Sequence, residues 1–229
     1  MCRCINGRRK SLQAKGREME QDYIAQLTER YPELKTIEAE IREAYRVLER
    51  CYEGRGKVLA GGNGGSAADC EHFVGELMKS FVKRRAVPED FARSLQDLHA
   101  ERGVSLAAGL QGALPAIAIC GHEALTSAYG NDVDWMLAMA QQVYGYGEEG
   151  DVLLAVTTSG NSENLLYAAD VARAKGMKII ALTGKTGGKL APLSDVALIV
   201  PKTETYQIQE LHLPIYHALC LQLEEHFFS

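Results

Sequence analysis

The sequence predicts an α/β fold: a three-layer, doubly wound parallel sheet with an N-terminal helical extension. Three observations predict it. Short apolar runs alternate in order with helical patterns from Val58 to the C-terminus, and Gly/Asn/Ser/Thr turns follow two of those runs. The 229 residues also suffice for one domain with its own core. Strand and helix units that alternate in this way build a parallel sheet covered on both faces.

Residues 1–16 are polar and basic and predict a disordered leader, in which a Cys2-x-Cys4 pair carries no fold signal. The single domain is expected over 17–229, opening with helices in 17–54 that are parted near Pro32. In the second helix Leu34, Ile37, Ile41, Ala44, Tyr45 and Leu48 recur at spacings of three and four, an apolar stripe to be buried on the domain or on another subunit. Then follow strand 58–61, helix 66–82, strand 116–120, helix 134–146, strand 152–157 and helix 162–175. Strand 178–182, a short helix near Lys189, strand 196–200 and a final helix 206–227 complete the series. Residues 86–114 interrupt it as an inserted segment, a charged helical piece over 89–101 followed by a Gly/Ala/Leu-rich connector.

A net charge of −5 and a pI near 5.7 argue against a nucleic-acid or membrane-surface role, which needs clustered Lys and Arg. The six cysteines are scattered, as in a reduced, cytoplasmic protein. No apolar run approaches the ~18 residues that span a bilayer, and the first twenty residues are too polar for a signal peptide.

The turn after Ala60 reads Gly61-Gly62-Asn63-Gly64-Gly65-Ser66 and opens a helix carrying His72 and Glu76. Glycines and small polar residues let backbone N–H groups approach an anion at a helix N-terminus. The i, i+4 spacing puts the imidazole and the carboxylate on one face, where the bland alternative is a solvated pair. A second turn, Thr157-Thr158-Ser159-Gly160-Asn161-Ser162 with Asn164, offers more hydroxyls than an N-cap needs and can hold a phosphate monoester without a metal. In the last helix Gln209 and His217 stand eight apart, roughly 80° around the axis, so both can face one cleft. His212 reads as structural, and His122 as a weaker candidate after a strand end. Asn131-Asp132 reads either as a turn with an N-cap or as ligands for sugar hydroxyls.

Two other phosphate motifs fail. Gly62-x-Gly64-x-x-Ala67 matches a relaxed dinucleotide fingerprint, but Lys83-Arg84-Arg85 stands where a ribose-binding acid belongs, so no nucleotide cofactor is expected. Gly184-Lys185-Thr186 ends a strand like a P-loop, yet its first glycine would have to be Ile179.

Taken together, residues 62–66, His72-x3-Glu76, Asn131-Asp132, residues 157–162, residues 182–188 and Gln209-Glu210-x-His212-x4-His217 resemble the sugar isomerase (SIS) domain family, and within it the phosphoheptose isomerase branch. The resemblance runs in order from about Ile24 to the C-terminus and implies isomerisation of sedoheptulose 7-phosphate to D-glycero-D-manno-heptose 7-phosphate. It makes Asn63, Gly64, Gly65 and Ser66 substrate contacts, Asn131 and Asp132 sugar contacts, and Thr157, Thr158, Ser159 and Ser162 the phosphate loop. Glu76 falls on the base position, His217 on its acid/base partner, and Gln209 beside the substrate. Some members bind zinc at the positions of His72, Glu76, Gln209 and His217, and the family usually forms homotetramers.

The chemistry suits these residues independently, since an aldose–ketose exchange needs one group to move a proton between C1 and C2 and another to shuttle protons between the oxygens. A carboxylate held on zinc is a poorer free base, so the two roles of Glu76 compete. A non-catalytic SIS protein that binds a phosphosugar or a protein partner is the competing expectation; that branch lacks the acid/base pair. Three departures stand out, the first being a phosphate loop that starts with Thr157 rather than the frequent Ser, which keeps the hydroxyl. Ser80 occupies the place of an arginine about four residues after the base, with Lys79, Lys83 or Arg84 as substitutes for its charge, and 86–114 exceeds the usual short connection.

Overall fold

The computed structural model describes residues 21–228. The expected leader and its Cys2-x-Cys4 pair lie outside the described residues. Five strands form one parallel sheet: β1 (Val58–Gly62), β2 (Ala116–Ala118), β3 (Val152–Val156), β4 (Lys178–Thr183) and β5 (Val196–Ile199), in the spatial order β2-β1-β3-β4-β5. The chain steps outward from β1 to β2 and then returns to β3 on the other side of β1, so the strand order reverses between β1 and β3. In open sheets of this kind ligands bind beyond the carboxyl ends at that point.

Residues on the strands alternate between two cores. Val58, Ala60, Val152, Leu154, Val156, Ile180 and Leu182 face one layer, which holds α1 (Tyr23–Arg30), a 3₁₀ turn (Pro32–Ile37), α2 (Glu38–Glu53), α3 (Gly65–Met78) and the C-terminal helix. Leu59, Leu153, Ala155, Ile179 and Ala181 face the other, formed mainly by two helices, Ala138–Tyr146 and Glu163–Ala174. The expected apolar stripe is spent in the first core: Leu34, Ile41, Ala44 and Leu48 are fully buried within the chain itself.

Between these elements lie α4 (Glu89–Leu98), α5 (Ala100–Gly109) and α6 (Glu123–Asp132); the two helices of the second layer are α7 and α8, and the last is α9 (Thr205–Phe227). The inserted segment is therefore two helices where the sequence suggested one. His99 adopts an extended backbone and accepts from the Arg102 N–H, ending one helix and capping the next. Neither helix buries an apolar side chain. Its stem is fastened by a bridge between Ala86 and Gln111 and by the Gly112 N–H on the Arg85 carbonyl.

Helix α3 stops at Met78, four residues before the expected end. Past it, the N–H groups of Phe81, Val82 and Lys83 all donate to the Glu224 carboxylate at 2.9–3.0 Å, a tertiary demand that the helical pattern through Val82 does not reveal. Arg85 Nε donates to the same carboxylate at 2.7 Å, while its Nη1 and Nη2 donate to the carbonyls of Leu77 and Glu76. Both side chains are completely buried. The Glu224 carboxyl is accordingly held below its ordinary value by these donors, against burial, which acts to raise it.

His212 is fully buried, with neither ring nitrogen hydrogen-bonded. Burial pushes it from 6.5 down to about 4, with the Thr183 backbone acting weakly the other way. The folded state therefore takes up this proton later than the unfolded chain. Its contribution is present above pH 6.5 and is lost as the pH falls through about 4, on the order of 3 kcal/mol. Thermal scans should show the melting temperature falling across that window, less steeply in His212→Leu. Glu224→Gln, which breaks a buried pair while keeping its volume, should cost about 3 kcal/mol or more in urea denaturation.

Candidate active site

Two loops at the carboxyl ends of β1 and β3 frame the site. Gly64 sits at φ +56°, and a Cβ on Gly65 would lie 2.6 Å from the Gln209 amide nitrogen, so α9 reaches the loop only over a glycine. Asn63 and Asn164 exchange side-chain hydrogen bonds at 3.1 and 2.8 Å, tying the first loop to the first turn of α8. In the second loop the hydroxyls of Thr157 and Ser162 are 3.1 Å apart, and Ser159 Oγ accepts from the Asn161 N–H. Gly160, at φ +68°, packs directly on the Gly187 carbonyl. The Leu190 N–H donates to the Gly160 carbonyl and the Lys189 N–H to the Asn161 side chain, which locks the hydroxyl loop to the turn after β4. Hydroxyls and free N–H groups at the start of α8 form a cradle for an oxyanion.

The acid–base candidates come from α3 and α9. Glu76 is buried, with Oε1 3.3 Å from His72 Nε2 and Oε2 2.9 Å from the Lys79 ammonium. The His217 ring centroid lies 5.0 Å from that of His72 and 5.3 Å from that of Phe81, and its buried Nε2 has no hydrogen-bond partner. Burial, then the neighbouring His72 ring, hold His217 below its ordinary value, with Glu76 opposing. A carboxylate and an imidazole of lowered proton affinity thus flank His72, groups of the kind that can take and return protons.

Of the three cations weighed against the missing arginine, Lys79 is the one on Glu76; Lys83 pairs with Glu225, and Arg84 is exposed. Asn131 and Asp132 are not a turn. They end α6, exposed, and bond to each other at 2.8 Å, with no hydrogen bond to the other candidates. His122 precedes that helix, is exposed and makes no capping bond. Among the described residues no three His, Cys, Asp or Glu side chains are gathered at metal-ligand spacing, so His72, Glu76 and His217 meet without forming a closed metal site. Tyr216, which contacts His72, and Asp69, which accepts from Tyr216, were not singled out by the sequence; the available signal was the i, i+3 spacing of Asp69 and His72.

Comparison with known proteins bears on this geometry. The SIS domain family profile matches residues 124–224. A phosphoheptose isomerase of Helicobacter pylori (strain P12) is 34% identical over 209 residues, covering 91% of this chain and 95% of that protein. The solved structure of the phosphoheptose isomerase of Neisseria gonorrhoeae superposes with a TM-score of 0.66 at 32% identity, over 86% of this chain and 92% of that one. A phosphoheptose isomerase from Francisella tularensis gives the same TM-score at 35% identity, over 81% and 85%.

Because a Cβ on Gly160 meets the Gly187 carbonyl at positive φ, Gly160→Ala should cost about 2 kcal/mol in urea denaturation. It should also weaken binding of inorganic phosphate in calorimetric titration.

Proposed function

The chain belongs to the phosphoheptose isomerase family, and from that premise we propose how its own residues carry the isomerisation of sedoheptulose 7-phosphate to D-glycero-D-manno-heptose 7-phosphate. The observation that carries the reading is that His72 brings together buried Glu76, 3.3 Å from its Nε2, and His217, whose ring lies 5.0 Å away.

The phosphate binds at Thr157, Thr158, Ser159 and Ser162 over the N-terminus of α8, which fixes one end of the open-chain sugar. Asn63, Gly64, Gly65, Ser66 and Gln209 line the path between that end and the acid–base pair. Glu76 takes the proton from one carbon and returns it to the neighbouring one through an enediol. His217 moves the oxygen-side proton, and its lowered proton affinity keeps it ready to accept. Lys79 places a positive charge at Glu76 Oε2, where it can offset the negative charge that develops on the enediolate. Asn131 and Asp132, at the end of α6, stay in the proposal as sugar contacts only if α6 approaches the pocket on binding. The acid–base pair favours catalysis over a binding-only role.

His72, Glu76, Gln209 and His217 are the residues that would hold a zinc ion. Two imidazoles, a carboxylate and an amide oxygen are donors suited to it, and the orphaned Nε2 of His217 supports the fit. When bound, zinc would polarise the sugar carbonyl. A homotetramer in the cytoplasm completes the proposal; the described cysteines, all free thiols, suit a reducing compartment.

Product NMR after incubation with sedoheptulose 7-phosphate should show the manno-heptose phosphate. Glu76→Gln and His217→Asn should each lower kcat by about a hundredfold or more, with circular dichroism and melting temperature retained. Full turnover in Glu76→Gln would remove the carboxylate from the mechanism.

A further inference from the structure

His72 is held from behind. The Tyr216 hydroxyl lies 3.0 Å from His72 Nδ1 and 3.3 Å from Asp69 Oδ1, and the His72 and Tyr216 rings meet edge to face at 5.5 Å. On the other side of the ring, His72 Nε2 faces Glu76 Oε1 at 3.3 Å. The four groups are linked in the order Asp69–Tyr216–His72–Glu76, with Tyr216 and Glu76 buried, Asp69 half-buried and His72 exposed. Tyr216 is 2% exposed, so solvent does not compete for its hydroxyl.

A phenol has one proton to give, and an ionised carboxylate can only accept. Asp69 Oδ1 is the acceptor of the Tyr216 hydroxyl at 3.3 Å. The Tyr216 proton therefore goes to Asp69. Its oxygen is left to accept, and the partner within reach is Nδ1–H of His72.

We propose that Tyr216, anchored by Asp69, is a positioning residue that fixes His72 in the Nδ1–H tautomer, so that a bare Nε2 faces the pocket beside Glu76. A neutral imidazole protonated on Nε2 would instead donate to Glu76 Oε1 and tie up the base. With Nε2 bare, imidazole and carboxylate present two lone pairs to one point, which accepts a substrate hydroxyl or a cation rather than closing on itself. It is also the tautomer in which an imidazole can ligate zinc. The catalytic consequence rests on the isomerase reading above; the tautomer itself does not.

The test therefore reads the tautomer first. Full-length protein labelled with ¹⁵N in the histidine rings is studied by long-range ¹H–¹⁵N correlation, without substrate, at a pH above the ordinary imidazole range. The His72 signals are identified by their loss in His72→Gln. Wild type should show a protonated Nδ1 and a bare Nε2. Tyr216→Phe removes the acceptor at Nδ1. Asp69→Asn can donate to the Tyr216 oxygen, turning the Tyr216 proton toward Nδ1. Both variants should move the His72 proton to Nε2, with kcat down about tenfold and KM within about twofold. A protonated Nε2 in wild type, or an unchanged tautomer in both variants, overturns the proposal whatever their activity. A protein without isomerase activity that nonetheless shows the tautomer switch would leave the positioning standing and overturn only the assigned chemistry.

Discussion

The geometry of the pocket depends on one buried ion pair, Arg85 with Glu224. Taking both charges out of water is costly and is offset only when nearly every donor and acceptor is used. Here Glu224 accepts from three successive backbone N–H groups and from Arg85, and Arg85 gives two further donors to carbonyls of the last turn of α3. The Phe228 ring lies 4.6 Å from the guanidinium. One end of this network is the C-terminus of α3 and the other is α9. Since Glu76 and His72 ride on α3 and His217 and Tyr216 on α9, the pair that joins the helices also sets the distance between the acid–base groups.

The sheet supplies the second fixed frame. Reversal of strand order between β1 and β3 brings the Asn63 loop next to the hydroxyl loop, and the Asn63–Asn164 amide exchange closes the seam. Gly160 against Gly187 then makes the hydroxyl loop and the turn after β4 one rigid piece. An anion cradle built from backbone must be held by backbone contacts, because its binding groups have no side-chain freedom with which to adjust. The loops thus fix the proposed phosphate cradle and the buried pair fixes the proposed acid–base groups, with Gln209 over Gly65 joining the two.

What the sequence showed and what it hid follow from the range of the interactions. Every β-strand was legible to within one or two residues, because each is a short apolar run in a sheet buried on both faces. His72 and Glu76 were legible because i, i+4 is a local relation. The end of α3 was not, since it is decided by a carboxylate more than 140 residues away. Helix α6 was hidden for another reason: residues 123–132 bury nothing, so no apolar period marks them, and Asn131-Asp132 looked like a turn. Tyr216 was invisible as a partner of His72 for the same reason as Glu224. Its neighbour in space is 144 residues away in the chain.

The absent arginine and the long insertion, which look like two departures in the sequence, are one structural event. Ser80 is at the stem of the inserted hairpin. Its N–H donates to Gln111 at 2.8 Å, and its hydroxyl accepts from the Arg85 N–H at 3.1 Å. A long cationic side chain at that position would lose the hydroxyl that receives Arg85 and would disturb the segment leading to Glu224. The positive charge beside the base therefore comes from the preceding residue, Lys79, whose ammonium reaches Glu76 Oε2 and is steadied by the Ser80 carbonyl at 3.0 Å. A lysine is a point charge on a flexible stem where an arginine is a rigid fork, so it can stay on the carboxylate while the backbone beneath it turns away from the helix. The insertion thus keeps the charge that the pocket needs and gives up the bidentate geometry.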